Sequence, residues 1–91
     1  MRKLCVLGST GSIGVSTLDV VRLHPDLFSI ESLSANTRVD EMLAQCQEFK
    51  PSIVVMVDNN SAQMLKEKLL NNGLEAIKVH SGEQGLIDIA Q

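Results

Sequence analysis

Apolar positions along this chain fall into short continuous runs that alternate with segments of helical spacing. The first run, Leu4-Cys5-Val6-Leu7 within residues 3–7, has no polar interruption, the pattern of a strand buried in a parallel sheet. Residues 13–23 follow as a helix, with Ile13, Thr17, Val20 and Val21 on one face and Leu18 beside them. His24-Pro25 ends it, because a residue before proline is pushed out of the α region. Residues 28–34 alternate apolar and polar, which predicts a strand with one less-buried face.

Val39, Met42, Leu43, Cys46 and Phe49 then mark an amphipathic helix over residues 39–49, with Pro51 just beyond it. Residues 53–57 are another buried strand. Asp58 to Ser61 supply turn and N-cap residues, and a helix to about Leu70 turns Ala62, Leu65 and Leu69 inward. Asn72-Gly73 terminates it. A weaker strand, Ala76 to Val79, leads through His80-Ser81-Gly82 to a last helix from near Glu83 that buries Leu86, Ile87 and Ala90.

The order βαβαβαβα predicts an α/β fold, a parallel sheet with helices on both faces. Right-handed crossovers place the first three strands in the order 3-2-1, one mononucleotide-binding half of a Rossmann-like domain. The pattern leaves the position of the fourth strand open. Residues 87–91 end inside a helical pattern without Gly, Asn or a basic C-cap. The expectation is an incomplete dinucleotide-binding domain at the front of a longer protein, with the edge of the first strand free to pair with another copy.

Composition narrows the partners. A chain of 91 residues fits one domain. It has two Phe, no Trp and no Tyr, so it lacks a stacking platform for single-stranded nucleic acid. A net charge of −3 excludes a general polyanion binder, so any anion is held locally by backbone amides and one or two side chains. Met1-Arg2-Lys3 looks like the start of a signal peptide, but the apolar run stops at Gly8 and no stretch reaches membrane length. The expectation is a cytoplasmic protein with no membrane partner. Cys5 and Cys46 have no metal or redox spacing and read as buried free thiols.

Between the first strand and first helix lies Gly8-Ser9-Thr10-Gly11-Ser12-Ile13-Gly14. Glycines let a backbone pass close to a phosphate, and a helix N-terminus aims unpaired N–H groups and the positive end of its dipole at the anion. The backbone amides of Thr10, Gly11, Ser12 and Ile13 are expected to face a pyrophosphate, with hydroxyls of Thr10 and Ser12 adding hydrogen bonds. Gly14 allows close helix–sheet packing. A purely structural turn is the alternative, and the strand–turn–helix context weighs against it.

The spacing G-x-x-G-x-x-G, wider than G-x-G-x-x-G, is typical of enzymes that prefer NADP(H). The second strand ends near Ser34-Ala35, and its tip reads Asn36-Thr37-Arg38. An NAD-specific site places Asp or Glu there for the ribose 2′-hydroxyl; Glu31 is too early. Arg38 instead offers a guanidinium to a 2′-phosphate. The competing reading makes Arg38 a solvated residue at a helix start that Asn36 or Thr37 caps. Asp19 reads as solvated or ion-paired, Asp58 as a cap with an adenine contact as the alternative, and His24 and His80 as terminal or satisfied polar residues. No carboxylate pair has the spacing of a metal site or an acid–base couple, so no catalytic or metal-ligating residue is expected in this chain.

Leu7 to Gly14, continued by Ser16-Thr17-Leu18-Asp19-Val20-Val21-Arg22, is a particular combination. Leu33-Ser34-Ala35-Asn36, Gln45-Cys46-Gln47-Glu48-Phe49 and Pro51 add to it. Together they resemble the N-terminal part of the 1-deoxy-D-xylulose 5-phosphate reductoisomerase family, over essentially the whole chain and most strongly in residues 4–22 and 33–57. The resemblance implies an oxidoreductase of the non-mevalonate isoprenoid pathway. Such enzymes rearrange 1-deoxy-D-xylulose 5-phosphate and reduce the resulting aldehyde with NADPH to 2-C-methyl-D-erythritol 4-phosphate. It also implies a divalent metal (Mg²⁺, Mn²⁺ or Co²⁺) and a homodimer.

The family's cofactor-binding positions fall on Thr10, Gly11, Ser12, Ile13, Asn36, Thr37 and Arg38. Many members carry Gly-Lys-Asn or similar at the last three, so the basic residue is kept, shifted by one position. The family's acidic metal ligands and substrate-phosphate residues lie in a later catalytic domain. Residues 1–91 are therefore expected to be an N-terminal NADPH-binding domain that turns over no substrate alone. Two other readings compete. An extended short-chain reductase or semialdehyde dehydrogenase would carry a Tyr-x-x-x-Lys pair or a catalytic Cys beyond Gln91. A non-catalytic nucleotide-sensing module would need neither.

Overall fold

The computed structural model describes residues 2–90. Its elements run β1 (Arg2–Val6), α1 (Ser12–Leu23), β2 (Phe28–Ala35), α2 (Val39–Phe49), β3 (Ile53–Met56), α3 (Asn59–Asn71), β4 (Lys78–Ser81) and α4 (Gly82–Ala90). All strand pairings are parallel, in the order β1-β2-β3-β4. The expected 3-2-1 arrangement is present, and β4 joins the outer side of β3.

One face of the sheet carries the core. Val6, Ile30, Leu33, Ala35, Val54 and Met56 pack with Leu18 and Val21 of α1, Met42 and Cys46 of α2, and Leu65 and Leu69 of α3. A sheet that grows in one direction through crossovers of one hand must place all its connecting helices on one side. Strand alternation turns Val55 to the opposite face, where α4 lies: a Cβ on Gly85 would stand 3.0 Å from Val55 Cγ1 and 3.2 Å from His80 Cβ. Helices therefore cover both faces, three on one and α4 on the other.

Between β1 and β2 the register slips, Leu4 opposing Ile30 but Cys5 opposing Ser32. Glu31 is the extra residue of this bulge. It lets Ile30 and Leu33, three apart, reach the same core, so β2 does not keep strict alternation. The end of α3 is closed by Gly73 at φ 73°. Leu74 N–H donates to the Leu69 carbonyl (2.8 Å) and Gly73 N–H to that of Leu70 (3.3 Å), the paired bonds of a Schellman ending.

Four packing expectations need correction. The inward face of α1 is Gly14, Leu18 and Val21; Ile13 is 83% exposed and Val20 51%. Gly14 must face the turn before it, and that contact sets the helix's rotation. In α4 the residue against the sheet is Gly85, while Ile87 is exposed and Leu86 half-buried; the Ala90 side chain lies outside the described residues. Strand β1 is not buried throughout: Arg2, Lys3 and Cys5 are exposed and only Val6 is fully covered, because β1 is an edge strand. Cys5 is consequently an exposed thiol, whereas Cys46 is buried. The fourth strand begins at Lys78, two residues later than expected, with Ile77 tucked into the core before it.

Candidate nucleotide-binding site

The chain leaves β1 through Leu7 and reverses at Gly8, whose φ of 67° is the left-handed region that glycine enters without steric cost. The turn is then tied down by polar groups of β2 and α2. Gly8 N–H donates to Ser34 Oγ (3.0 Å), and Ser9 N–H donates to the Ser34 carbonyl (2.8 Å). Ser9 is fully buried. Its hydroxyl donates to Gln45 Oε1 (2.6 Å), and Gln45 Nε2 donates to its carbonyl (2.8 Å). Gly14 closes the turn from the helix side: a Cβ there would stand 2.2 Å from the Gly8 oxygen and 2.6 Å from Ser9 Cα.

Helix α1 starts on Gly11, which has no side-chain cap, and its first turn holds no acidic residue. The amides of Thr10, Ser12 and Ile13 have no partner among the described residues. They form a cluster of free donors at the positive end of a helix, the arrangement that takes an anion. Gly11 differs from expectation, because its N–H donates to the Gly8 carbonyl (3.0 Å) and so closes the turn. Gly11 has no side chain to fill the space beside the turn. The Ile13 side chain is exposed.

Strand β2 ends beside this turn, and Asn36, Thr37 and Arg38 follow, all exposed. Neither Asn36 nor Thr37 caps α2 with its side chain; Arg38 occupies the N-cap position. Arg38 Nη1 lies 3.3 Å from Glu41 Oε2, a long pair in solvent that holds the guanidinium weakly. A cavity of about 430 Å³ lies at the C-terminal ends of β1 to β3, lined by Leu7, Gly8, Ser34, Ala35, Asn36 and Glu83 among others. Ligands of open α/β sheets bind at this end of the strands. A larger groove of about 540 Å³ between α3 and β4 includes Lys66, Ile77 and His80, but it has neither a glycine turn nor a helix N-terminus.

The remaining polar candidates have structural partners. Asp58 caps α3, accepting from Ser61 N–H (2.9 Å) and Ser61 Oγ (2.8 Å). The Ser61 hydroxyl and then its amide hold the Asp58 carboxyl below its usual range. Asp19 pairs with Arg22, which also grips Glu48 of α2 through two nitrogens. That hydrogen bonding lowers the Glu48 carboxyl and raises the Arg22 guanidinium. His24 is the C-cap of α1, and its ring meets that of Phe28 in a T-shaped arrangement. Burial pushes the Cys46 thiol up to about 12. Among the described residues no three His, Cys, Asp or Glu side chains gather as a metal site, and no helix is long and apolar enough to cross a membrane.

Sequence reasoning missed Ser9, Ser34 and Gln45 as the groups that shape the turn. The signal was present for Gln45, a polar residue between Met42 and Cys46 on the buried face of α2.

The family model for 1-deoxy-D-xylulose 5-phosphate reductoisomerase matches residues 4–91. The reductoisomerase of Colwellia psychrerythraea is 58% identical over 90 residues, covering 99% of this chain and 22% of the relative. That of Acidithiobacillus ferrooxidans is 49% identical over 90 residues, covering 99% and 23%. A crystal structure of DOX-P reductoisomerase with NADPH, fosmidomycin and magnesium superposes with a TM-score of 0.93 at 39% identity, covering 99% of this chain and 22% of that one. The Zymomonas mobilis enzyme in complex with NADPH gives 0.88 at 30% identity, covering 98% and 23%. The chain thus spans less than a quarter of the length of these relatives. A match that takes in every element from the glycine turn to α4 carries one conclusion: this chain belongs to the 1-deoxy-D-xylulose 5-phosphate reductoisomerase family.

Proposed function

We propose that this chain is the N-terminal NADPH-binding domain of an enzyme that rearranges and reduces 1-deoxy-D-xylulose 5-phosphate to 2-C-methyl-D-erythritol 4-phosphate. The carrying observation is the pairing of free amides at the start of α1 with a weakly held arginine at the adjacent strand tip. The cradle is open at Gly11, which presents no side chain and where a Cβ would meet only the Gly8 oxygen, at 3.4 Å. NADPH is the bound partner of two of the superposing reductoisomerases.

In this reading the amides of Thr10, Ser12 and Ile13 bind the pyrophosphate, and the hydroxyls of Thr10 and Ser12 add hydrogen bonds. Asn36 and Thr37 flank the adenosine ribose. Arg38 exchanges Glu41 for the 2′-phosphate, a doubly charged and better acceptor. The bound cofactor supplies a hydride to the substrate. The chain's own part is to bind and orient it. In this reading the Mg²⁺, Mn²⁺ or Co²⁺ of the whole enzyme and its catalytic groups belong to residues outside this chain. The same reading makes the whole protein a cytoplasmic homodimer.

Calorimetric titration with NADPH and, separately, with NADH tests this. Tighter binding of NADPH is expected. A preference for NADH would overturn the role of Arg38, and binding of neither would overturn these residues as a cofactor site.

A further inference from the structure

The Gln45 side chain lies 36 residues from Ser9 in sequence yet satisfies two of its polar groups at once. Both contacts are buried; Ser9 has no exposed surface and Gln45 only 9%. Few side chains could replace it. The primary amide accepts from the hydroxyl with one atom and donates to the carbonyl with the other, and Asn is too short by one methylene to keep the same backbone position. The third polar group of Ser9, its N–H, is held by the Ser34 carbonyl. Every hydrogen-bonding group of Ser9 is thus directed inward by β2 or α2.

The consequence appears one atom further along the chain. A trans peptide is planar, and its C=O and N–H point in opposite directions. The carbonyl that Gln45 draws inward belongs to the peptide whose N–H is that of Thr10. Fixing the one aims the other away from the core, and the Thr10 amide has no partner among the described residues.

We infer that Gln45 is a positioning residue for the phosphate-binding turn, aiming the Thr10 amide at the anion without touching it. The inference rests on the NADPH reading for the identity of the anion, not for the aiming itself. Without Gln45 the Ser9–Thr10 peptide is free to rotate, and the first donor of the cluster loses its direction. The loss falls on ligands with a 5′-phosphate. A ligand that carries only a 2′-phosphate is read at Arg38 and is spared.

Two variants separate positioning from simple packing. Gln45→Met keeps the volume and removes both hydrogen bonds. Gln45→Glu keeps the acceptor for the Ser9 hydroxyl but sets a carboxylate oxygen against the Ser9 carbonyl. In titrations of the folded variants, affinity for ADP should fall about tenfold, the cost of one misdirected donor to a charged group. Affinity for adenosine 2′-monophosphate should hold within about twofold. Equal losses for both ligands, or none for ADP, would overturn the inference. If the wild type bound neither nucleotide, the NADPH reading would fail, and backbone NMR without ligand would still decide on Gln45. A Thr10 amide signal that shifts and broadens in either variant supports it; an unchanged one overturns it.

Discussion

Gly14 lies directly against Gly8. The first turn of α1 sits so close to the reversal after β1 that a Cβ on Gly14 would stand 2.2 Å from the Gly8 oxygen, well inside van der Waals contact. The helix N-terminus and the strand end therefore meet in direct backbone contact, while the plane of the Ser9–Thr10 peptide between them is held by Gln45. Gly14→Ala should force the two apart. The expected cost is about 1–3 kcal/mol, typical of overpacking at a closed site, read as a lower denaturant midpoint. A midpoint equal to that of the wild type would mean that the contact relaxes freely.

Gly11 should behave differently. Its φ is −80°, open to any residue, and its Cβ would make an ordinary contact. Gly11→Val should cost about 1 kcal/mol or less as an N-cap change, while a branched side chain occupies the pyrophosphate's approach and lowers NADPH affinity by more than about tenfold. Thermal melts and calorimetry on the same preparation check both halves. Retained affinity would place the phosphates elsewhere.

Arg38→Glu should discriminate between cofactors. Removing a charge-assisted contact and adding repulsion should weaken NADPH binding roughly 10- to 100-fold and leave NADH almost untouched. Parallel losses for the two would deny Arg38 any contact with the 2′-phosphate.

The two thiols should separate by exposure. Cys5 sits on the open edge strand, and Cys46 is buried with its thiol pushed up to about 12. A thiol reagent at neutral pH should modify one cysteine of the native chain, and both only after unfolding. Rapid native labelling of Cys46 would contradict its place in the core.

Stability should fall in acid. Asp58 and Glu48 are both lowered in the folded chain, by Ser61 and Arg22 respectively. Groups with a depressed folded pKa contribute stability that is complete above their unfolded values and is lost as pH falls through the folded ones. The loss therefore belongs to the pH range at and below that of ordinary carboxylates. Replacing Asp58 with Asn, which still caps, should flatten that acid limb in urea titrations at stepped pH. An identical limb would assign the effect to other groups.

Much of this was legible from the order of residues. Strand-forming runs, helical spacing, His24-Pro25, Asn72-Gly73 and the glycine turn are local signals, because backbone conformation answers to near neighbours. The turn of the candidate site was legible for the same reason: glycines between a strand and a helix constrain the backbone whatever surrounds them. Cys5 and Ile87 were misplaced because burial depends on which strand lies at the edge and where the last helix rests, relations between distant segments. Gln45 went unassigned because its partner Ser9 is 36 residues away.

By itself the sequence determined the succession of elements, the glycine turn between β1 and α1, the absence of a carboxylate at the tip of β2, and the family. Only the tertiary structure decided that β4 lies outside β3, that α4 covers the opposite face, that Gly11 N–H bonds to Gly8, and that α2 grips Ser9. The physical reason is range. Propensity and spacing act over a few residues, while the direction of a buried hydrogen bond is set by whichever group the packed core brings within about 3 Å.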